Sequence, residues 1–391
     1  MARIGIYGGA FNPPHTGHIR AAEYAVQALN LDKLLLIPSC TSPHKPLPPG
    51  SPEPRQRLEM TRLWAGEKME VCDIELSRGG TSYTYQTVEQ LKAEYPDDEL
   101  ILFMGTDMFL SFHSWKEPER ILRCVSLAVF YRGEKGETDA IGNLQKEYAA
   151  KGHTVYLVEN PVLEISSTQL RRMLVFRCAA PFVDERVLRY IQENGLYGTA
   201  EDYKNLPMEK LEQVVVDLLN PNRVKHVLGC RDTAADLARV WGADETDAAR
   251  AGLLHDITKA LDGPLQLTLC REYGKVLDEF SENNPKTLHA LTGSFVAERI
   301  FGENEAVVKA IESHTTGKPA MNTLEKIIYV ADYMEPNRDF PGVEELRRLA
   351  YTDLDGALQL GLEMTLAVLK EQKRQISPAS SQALEYLLKG K

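Results

Sequence analysis

Paired cysteines, long apolar runs and an excess of basic residues are all missing from this sequence, and each absence excludes a class of protein. The six cysteines, Cys40, Cys72, Cys124, Cys178, Cys230 and Cys270, stand singly with no CxxC pair. That spacing does not fit a secreted disulfide framework, and the thiols read as reduced. No apolar run approaches the roughly 18 residues that a membrane-spanning helix needs. Met1 leads straight into the strand-like ARIGIY, without a basic segment, an apolar stretch or a small-residue cleavage site, so neither a membrane anchor nor a secretory signal is expected. Acidic residues outnumber basic ones, 56 to 45, for a net charge of -11. Duplex binding draws its affinity from Lys and Arg neutralising phosphates, so a broad nucleic-acid surface is excluded, while a local pocket for a small phosphate stays open. Internal repeats and low-complexity segments are absent too. The compartment expected is the cytoplasm.

What is present is an ordinary globular composition, 43% hydrophobic and 26% charged, over 391 residues. That length exceeds the size at which one core keeps growing, so two domains are expected. In the first half, RIGIY, KLLLIP, KMEVCD, ELILFMG, VSLAVFY and HTVYLVE alternate with amphipathic stretches. Regular alternation of strand and helix predicts an α/β domain with a parallel sheet. Ile19, Ala22, Val26 and Leu29 form the apolar stripe of its first helix. The Pro-rich stretch Ser42 to Pro54 reads as a loop. Around Gly195 to Tyr203 the pattern changes, which sets domains at 1–198 and 205–391. Beyond that point the periods are helical: Leu211, Val214, Val215 and Leu218; Val227, Cys230, Ala234 and Leu237; Leu354, Ala357, Leu358, Gly361, Thr365 and Val368. The second domain is expected to be all-α.

The first strand runs into GGAFNPPHTGH, Gly8 to His18, which opens a helix. Glycines admit a ligand close to the backbone, prolines stiffen the turn, and the helix N-terminus offers unpaired N–H groups to phosphate. His15 and His18 are three apart and can donate to phosphate oxygens from one side. No glycine loop ends in Lys-Ser/Thr, so this is not the usual P-loop. Further along, ISSTQLR (Ile165 to Arg171) places hydroxyls at a helix start and an arginine fork behind them.

Together these motifs resemble the HxGH nucleotidyltransferase superfamily, over essentially residues 1 to 195. The resemblance implies a Rossmann-like domain with His15, His18 and Arg171 as catalytic residues, the two histidines stabilising charge at the α-phosphate of ATP and Arg171 holding the triphosphate, with Gly8, Gly9, Phe11, Gly105, Asp107, Ile165, Ser166 and Ser167 binding the nucleotide. Three segments are similar to the nicotinate mononucleotide adenylyltransferases: SPHKP with His44 and Lys45, GGTSYTYQT with Thr84 and Tyr85, and MGTDMFLSFHSW with Trp115. They imply an acceptor site for a pyridine mononucleotide and Mg²⁺ accompanying ATP. Another phosphate acceptor, and nicotinamide in place of nicotinate, stay open. His113 and His153 receive no role.

In the second half, AGLLHDITK puts His255 beside Asp256 at the end of an apolar stretch. Burying an imidazole beside a carboxylate is costly unless both are satisfied, and metal coordination satisfies them. His226, His289, His314 and Asp332 are further candidates, a nitrogen and oxygen set without cysteine that suits iron or manganese. The order resembles the HD superfamily of phosphohydrolases, in the bacterial branch that cleaves diadenosine tetraphosphate symmetrically to ADP. By that resemblance one metal takes His226, His255, Asp256 and Asp332, and Asp256 bridges to a second held by His289 and His314. Lys259, Arg338 and Lys318 would bind the polyphosphate. A nucleotide phosphatase, or a nucleotide-sensing module without turnover, stays open, as does a homo-oligomer. The partners expected are small molecules: ATP, nicotinate mononucleotide and a dinucleoside polyphosphate, with neither nucleic acid nor membrane.

Overall fold

The computed structural model describes residues 1–43, 46–131, 135–159 and 165–389. The chain divides into two compact units, Met1–Glu201 and Asp202–Lys391. The first begins with β1 (Arg3–Gly9), α1 (Thr16–Ala28), β2 (Lys33–Pro38), α2 (Pro54–Trp64), β3 (Met69–Val71), α3 (Ile74–Arg78) and α4 (Thr84–Glu94). It continues through β4 (Glu99–Gly105), α5 (Thr106–Leu110), α6 (Pro118–Cys124), β5 (Ser126–Tyr131), α7 (Lys135–Ala150), β6 (Val155–Glu159), α8 (Ser167–Val175) and α9 (Glu185–Glu193).

All six strand candidates form strands, and they pair in parallel in the order β3-β2-β1-β4-β5-β6. Leu34, Leu35 and Leu36 are each buried to 1% exposure or less. Successive side chains in a strand point to opposite faces, so an unbroken leucine run marks a sheet covered on both sides. β1 pairs with β2 on one side and β4 on the other. The strand order therefore reverses between β1 and β4, and a crevice opens beyond their carboxyl ends, where α/β sheets bind ligands. Gly8 and Gly9 end β1, and Gly105 ends β4. The helix stripe is close to the expected one: Ala22, Ala25 and Leu29 are buried, Ile19 and Val26 half-buried.

The second unit holds α10 (Met208–Leu218), α11 (Val224–Trp241), α12 (Glu245–Leu254), α13 (Gly263–Glu272), α14 (Glu279–Asn283) and α15 (His289–Val296). Then come α16 (Glu305–Ser313), α17 (Thr323–Met334), α18 (Val343–Ala350), α19 (Leu354–Glu371) and α20 (Pro378–Lys389). No strand occurs among its described residues. Its helices start on short polar side chains: Asp244, Asp262, Asn304, Asn322 and Asp353 each accept a hydrogen bond from a backbone N–H of the first turn. Each such cap stabilises its helix by about 1 kcal/mol. Along α19 the apolar stripe turns toward Leu362 and Leu366, which are buried, and leaves Val368 46% exposed. The expected stripe is corrected there, because a period of 3.6 residues drifts off a fixed spacing by the fourth turn. Gly252 sets the closeness of α12 to α11, since a Cβ on it would lie 2.8 Å from the Cα of Arg231.

No helix among the described residues is long and apolar enough to cross a membrane.

Candidate active sites

In the first unit a cavity of about 520 Å³ lies at the carboxyl ends of β1 and β4. Gly8, Gly9, His15, His18, Thr84, Gly105, Trp115 and Ile165 all line it. His15 caps α1 and is 7% exposed. Its backbone N–H donates to Nδ1 of His18 at 3.2 Å, and the two rings lie 3.6 Å apart, tilted by 32°. Burial, then repulsion from His18, holds His15 well below the ordinary imidazole pKa; burial takes His18 down to about 4. Both are therefore neutral N–H donors at physiological pH. His15 Nδ1 and Thr16 Oγ1 are buried without a hydrogen-bond partner.

Phe11 does not line the cavity. It is 1% exposed, in the left-handed region at φ 44°, and its ring meets Tyr7 at 5.6 Å and His18 at 5.2 Å, edge-on in both cases. It thus backs the His18 imidazole, at a backbone cost of about 1–3 kcal/mol. The loop after it is held from three directions. Arg171 Nη1 donates to the Asn12 carbonyl at 2.8 Å and Ser167 Oγ to the Pro13 carbonyl at 3.1 Å. Tyr197 Oη donates to Asn12 Oδ1 at 2.8 Å. Arg57, fully buried, donates to the carbonyls of Ala10 (2.7 Å), Ser39 (2.7 Å) and Cys40 (3.0 Å), joining the loop after β1 to the loop after β2. Ser166 caps α8 in a reciprocal box with Gln169. The ISSTQLR segment thus braces the histidine loop, with Ile165 reaching the cavity itself.

On the other side, Cys40 N–H donates to Ser82 Oγ at 2.9 Å and Ser82 N–H to the Thr41 carbonyl at 2.8 Å, tying the loop after β2 to the segment before α4. Thr84 opens α4 and faces the cavity; Tyr85 does not line it, its ring lying instead 4.5 Å from the Arg120 guanidinium. Trp115 is half-buried, its ring 5.3 Å from Phe112. Asp107 is exposed, with Oδ1 turned back toward Gly105, where a Cβ would meet it at 3.1 Å. His44 and Lys45 lie outside the described residues. Arg57 and Tyr197 went unread in the sequence, as did Glu75, a buried cavity-lining carboxylate that accepts from Thr87 Oγ1 at 2.8 Å.

In the second unit four imidazoles and two carboxylates converge from helix ends. His226 lies in the first turn of α11, His255 follows α12, His289 opens α15, His314 follows α16 and Asp332 lies near the end of α17. Asp256, 1% exposed, sits between two histidine pairs. Its Oδ2 is 3.7 Å from His226 Nε2 and 3.6 Å from His255 Nε2; its Oδ1 is 3.4 Å from His289 Nε2 and 3.8 Å from His314 Nε2. Asp332 Oδ1 lies 3.1 Å from His226 Nε2.

Donor atoms of His226, His255 and Asp332, and likewise of His255, Asp256 and His314, fall within 4.8 Å of one another. Burial lowers His255 and His289 well below the ordinary imidazole pKa and His314 to about 4. Burial raises Asp332, but the His226 hydrogen bond and the charges of His255 and Arg338 outweigh it and hold the group low. The Nε2 atoms of His226 and His255 are 3.3 Å apart. Two imidazole lone pairs at that distance repel unless a proton or cation lies between them, so the donor set fits divalent metal.

Three cations border this cage. Lys259 Nζ is 2.8 Å from His289 Nε2, and burial lowers its pKa to about 8. Arg338 Nη2 is 2.6 Å from Asp332 Oδ1. Arg223 pairs with Asp256 Oδ2 and was not anticipated. Lys318 pairs instead with Glu325 at 2.6 Å.

Residues 6–173 match the cytidylyltransferase-like family and residues 223–337 the HD domain. A symmetrical bis(5'-nucleosyl)-tetraphosphatase of Halalkalibacterium halodurans is 41% identical over 180 residues, covering 46% of this chain and 96% of that protein. A probable nicotinate-nucleotide adenylyltransferase of Citrifermentans bemidjiense is 36% identical over 215 residues, covering 51% of this chain and 99% of its own. A Mycoplasma pneumoniae protein named probable nicotinate-nucleotide adenylyltransferase/Ap4A hydrolase is 27% identical over 372 residues, covering 93% of this chain and 99% of its own. Spanning nearly the whole of relatives 36% and 41% identical to it, the chain belongs through its first half to the nicotinate-nucleotide adenylyltransferase family and through its second to the HD-domain family that includes the symmetrical bis(5'-nucleosyl)-tetraphosphatases.

Proposed function

We propose that the first unit transfers the AMP group of ATP to nicotinate mononucleotide, giving deamido-NAD and pyrophosphate, and that the second hydrolyses diadenosine tetraphosphate to two ADP. The observation that carries the first half is the His15–His18 pair, His15 buried and His18 half-buried, lining a cavity at the strand-order reversal, with His15 Nδ1 and Thr16 Oγ1 left for a ligand. An acceptor phosphate oxygen attacks the α-phosphorus of ATP, and the bond to the pyrophosphate oxygen breaks. The attacking phosphate is already anionic at neutral pH, so catalysis rests on positioning and charge stabilisation rather than a general base. His15 and His18 donate to the α-phosphate oxygens as charge moves there. Gly8 and Gly9 let the nucleotide approach the backbone, Thr84 and Trp115 take the pyridine side, and Arg171 and Ser167 keep the histidine loop in register. Mg²⁺ would accompany the triphosphate.

For the second unit the carrying observation is the cage, with Asp256 facing both histidine pairs. His226, His255, Asp256 and Asp332 would hold one divalent ion, and Asp256, His289 and His314 the other; iron and manganese suit these donors. Such ions, when bound, supply Lewis acidity toward phosphate oxygens and lower the pKa of water. Arg223, Lys259 and Arg338 would neutralise the polyphosphate. Water adds to one inner phosphorus as the central P–O–P bridge breaks, giving two ADP. The six cysteines form no disulfide among the described residues, in keeping with a reducing compartment, and we assign the chain to the cytoplasm. Incubating the full chain with each substrate tests both halves: release of pyrophosphate with nicotinate mononucleotide and of ADP from diadenosine tetraphosphate is expected. Phosphopantetheine reacting where both pyridine mononucleotides fail would reject the first assignment, and nucleotide binding without ADP release the second.

A further inference from the structure

The cage imidazoles share one orientation. Nδ1 of His255 lies 2.7 Å from the Gly252 carbonyl, that of His314 2.7 Å from the Ile311 carbonyl, and that of His289 2.9 Å from the Lys286 carbonyl. A carbonyl only accepts, so Nδ1 carries the proton in all three and Nε2 offers its lone pair to the cage. His226 is held differently. Its Nδ1 faces a carboxylate, Glu335 Oε1, at 3.1 Å. Glu335 is 1% exposed and directly follows α17. Its other oxygen accepts from the backbone N–H and the Nδ2 of Asn337, both at 2.7 Å. Gly229 on α11 makes the room: a Cβ there would lie 2.5 Å from Glu335 Oε2.

We propose that Glu335 is a positioning residue that fixes His226 with Nε2 toward the cage and makes the His226, His255 and Asp332 group the tighter of two cation sites. A carboxylate draws the Nδ1 proton more strongly than a neutral carbonyl does, so the His226 ring becomes the more basic ligand. The other histidines have only carbonyl anchors among these contacts, and the asymmetry lies in this one acid. The inference rests on the reading of the cage as a divalent-metal site and adds an order of filling.

The test uses the full chain stripped of metal and titrated with Mn²⁺ alone, free ion being followed by electron paramagnetic resonance and heat by calorimetry. Wild type is expected to take two ions in two affinity classes. E335Q keeps the shape and an acceptor but loses the charge, and should weaken the tighter class by about 10- to 100-fold while leaving the other. G229A, whose Cβ would displace the carboxylate while leaving its charge, should do the same. H314A should remove the weaker class instead. Metal-free E335Q should still melt in one cooperative transition, so that a loss confined to one class is read on a folded chain, whereas a merely structural role for the acid would weaken both classes together. Wild-type affinities in E335Q, or equal loss in both classes, would overturn the assignment of Glu335. A wild-type chain that takes up no Mn²⁺ would overturn the cage reading and this inference with it.

Discussion

Replacing His18 by Ala perturbs the transfer site at one defined atom. Nδ1 of His18 accepts the backbone N–H of His15, so the ring proton sits on Nε2, and that N–H is the single donor the side chain can offer to phosphate. Because burial takes its pKa down to about 4, the donor is neutral and its contribution is a preorganised hydrogen bond rather than an ion pair. Deleting one such donor costs about 2.7–4 kcal/mol of transition-state stabilisation, or about 10²- to 10³-fold in kcat. The contact strengthens as charge moves onto the α-phosphate, so KM for ATP should change little. The assay is steady-state pyrophosphate release by the full chain with ATP, Mg²⁺ and nicotinate mononucleotide at saturation. The pH dependence follows from the same shift. The folded His18 pKa lies below the unfolded value of about 6.5, so its neutral form stabilises the fold fully above that value. The contribution is lost as pH falls from there through about 4. Between about pH 6.5 and 8 wild-type kcat should show no imidazole inflection. Any inflection near 6 belongs to the acceptor phosphate, whose second pKa is about 6, and must persist in H18A. A kcat within about threefold of wild type, a change confined to KM, or an inflection near 6.5 that vanishes in H18A would refute the assignment.

Other substitutions probe the braces. R57K keeps a charge but cannot span the carbonyls of Ala10, Ser39 and Cys40; it should lower stability by about 1.5–3 kcal/mol in urea denaturation and slow transfer, and an unchanged midpoint would contradict the bracing role. Y197F removes one hydrogen bond to Asn12 and should cost about 1 kcal/mol in the same measurement. Dialysis against a chelator should abolish ADP release from diadenosine tetraphosphate, with Mn²⁺ or Fe²⁺ restoring it; ADP release persisting in a chain shown to be free of metal would exclude the dinuclear reading.

The strands were legible because apolar runs bounded by turn residues carry their own signal, and the order β1 to β6 along the chain constrains a parallel sheet tightly. The histidines were legible because both sit in a motif at a strand-to-helix turn. Arg57 was not: Arg55, Arg57 and Arg62 share one helix and look alike in sequence, and only packing buries Arg57 against the loop carbonyls. Tyr197 lies in the glycine-rich segment read as a boundary, where its hydrogen bond to Asn12, 185 residues away, leaves no local trace. Phe11 and Tyr85 sit within motifs yet face away from the cavity, because a motif fixes the backbone path more firmly than the direction of each side chain. In the HD unit the ligands were read as residue types in order. Glu335 and Arg223 escaped because acids and arginines near helix ends usually serve as solvated caps.

The most direct measurement assays H18A and H255A of the full chain on both reactions. H18A should lose pyrophosphate release while keeping ADP release, and H255A the reverse. Loss of both activities in either variant, or of neither, would contradict two separate phosphate-handling sites in one chain.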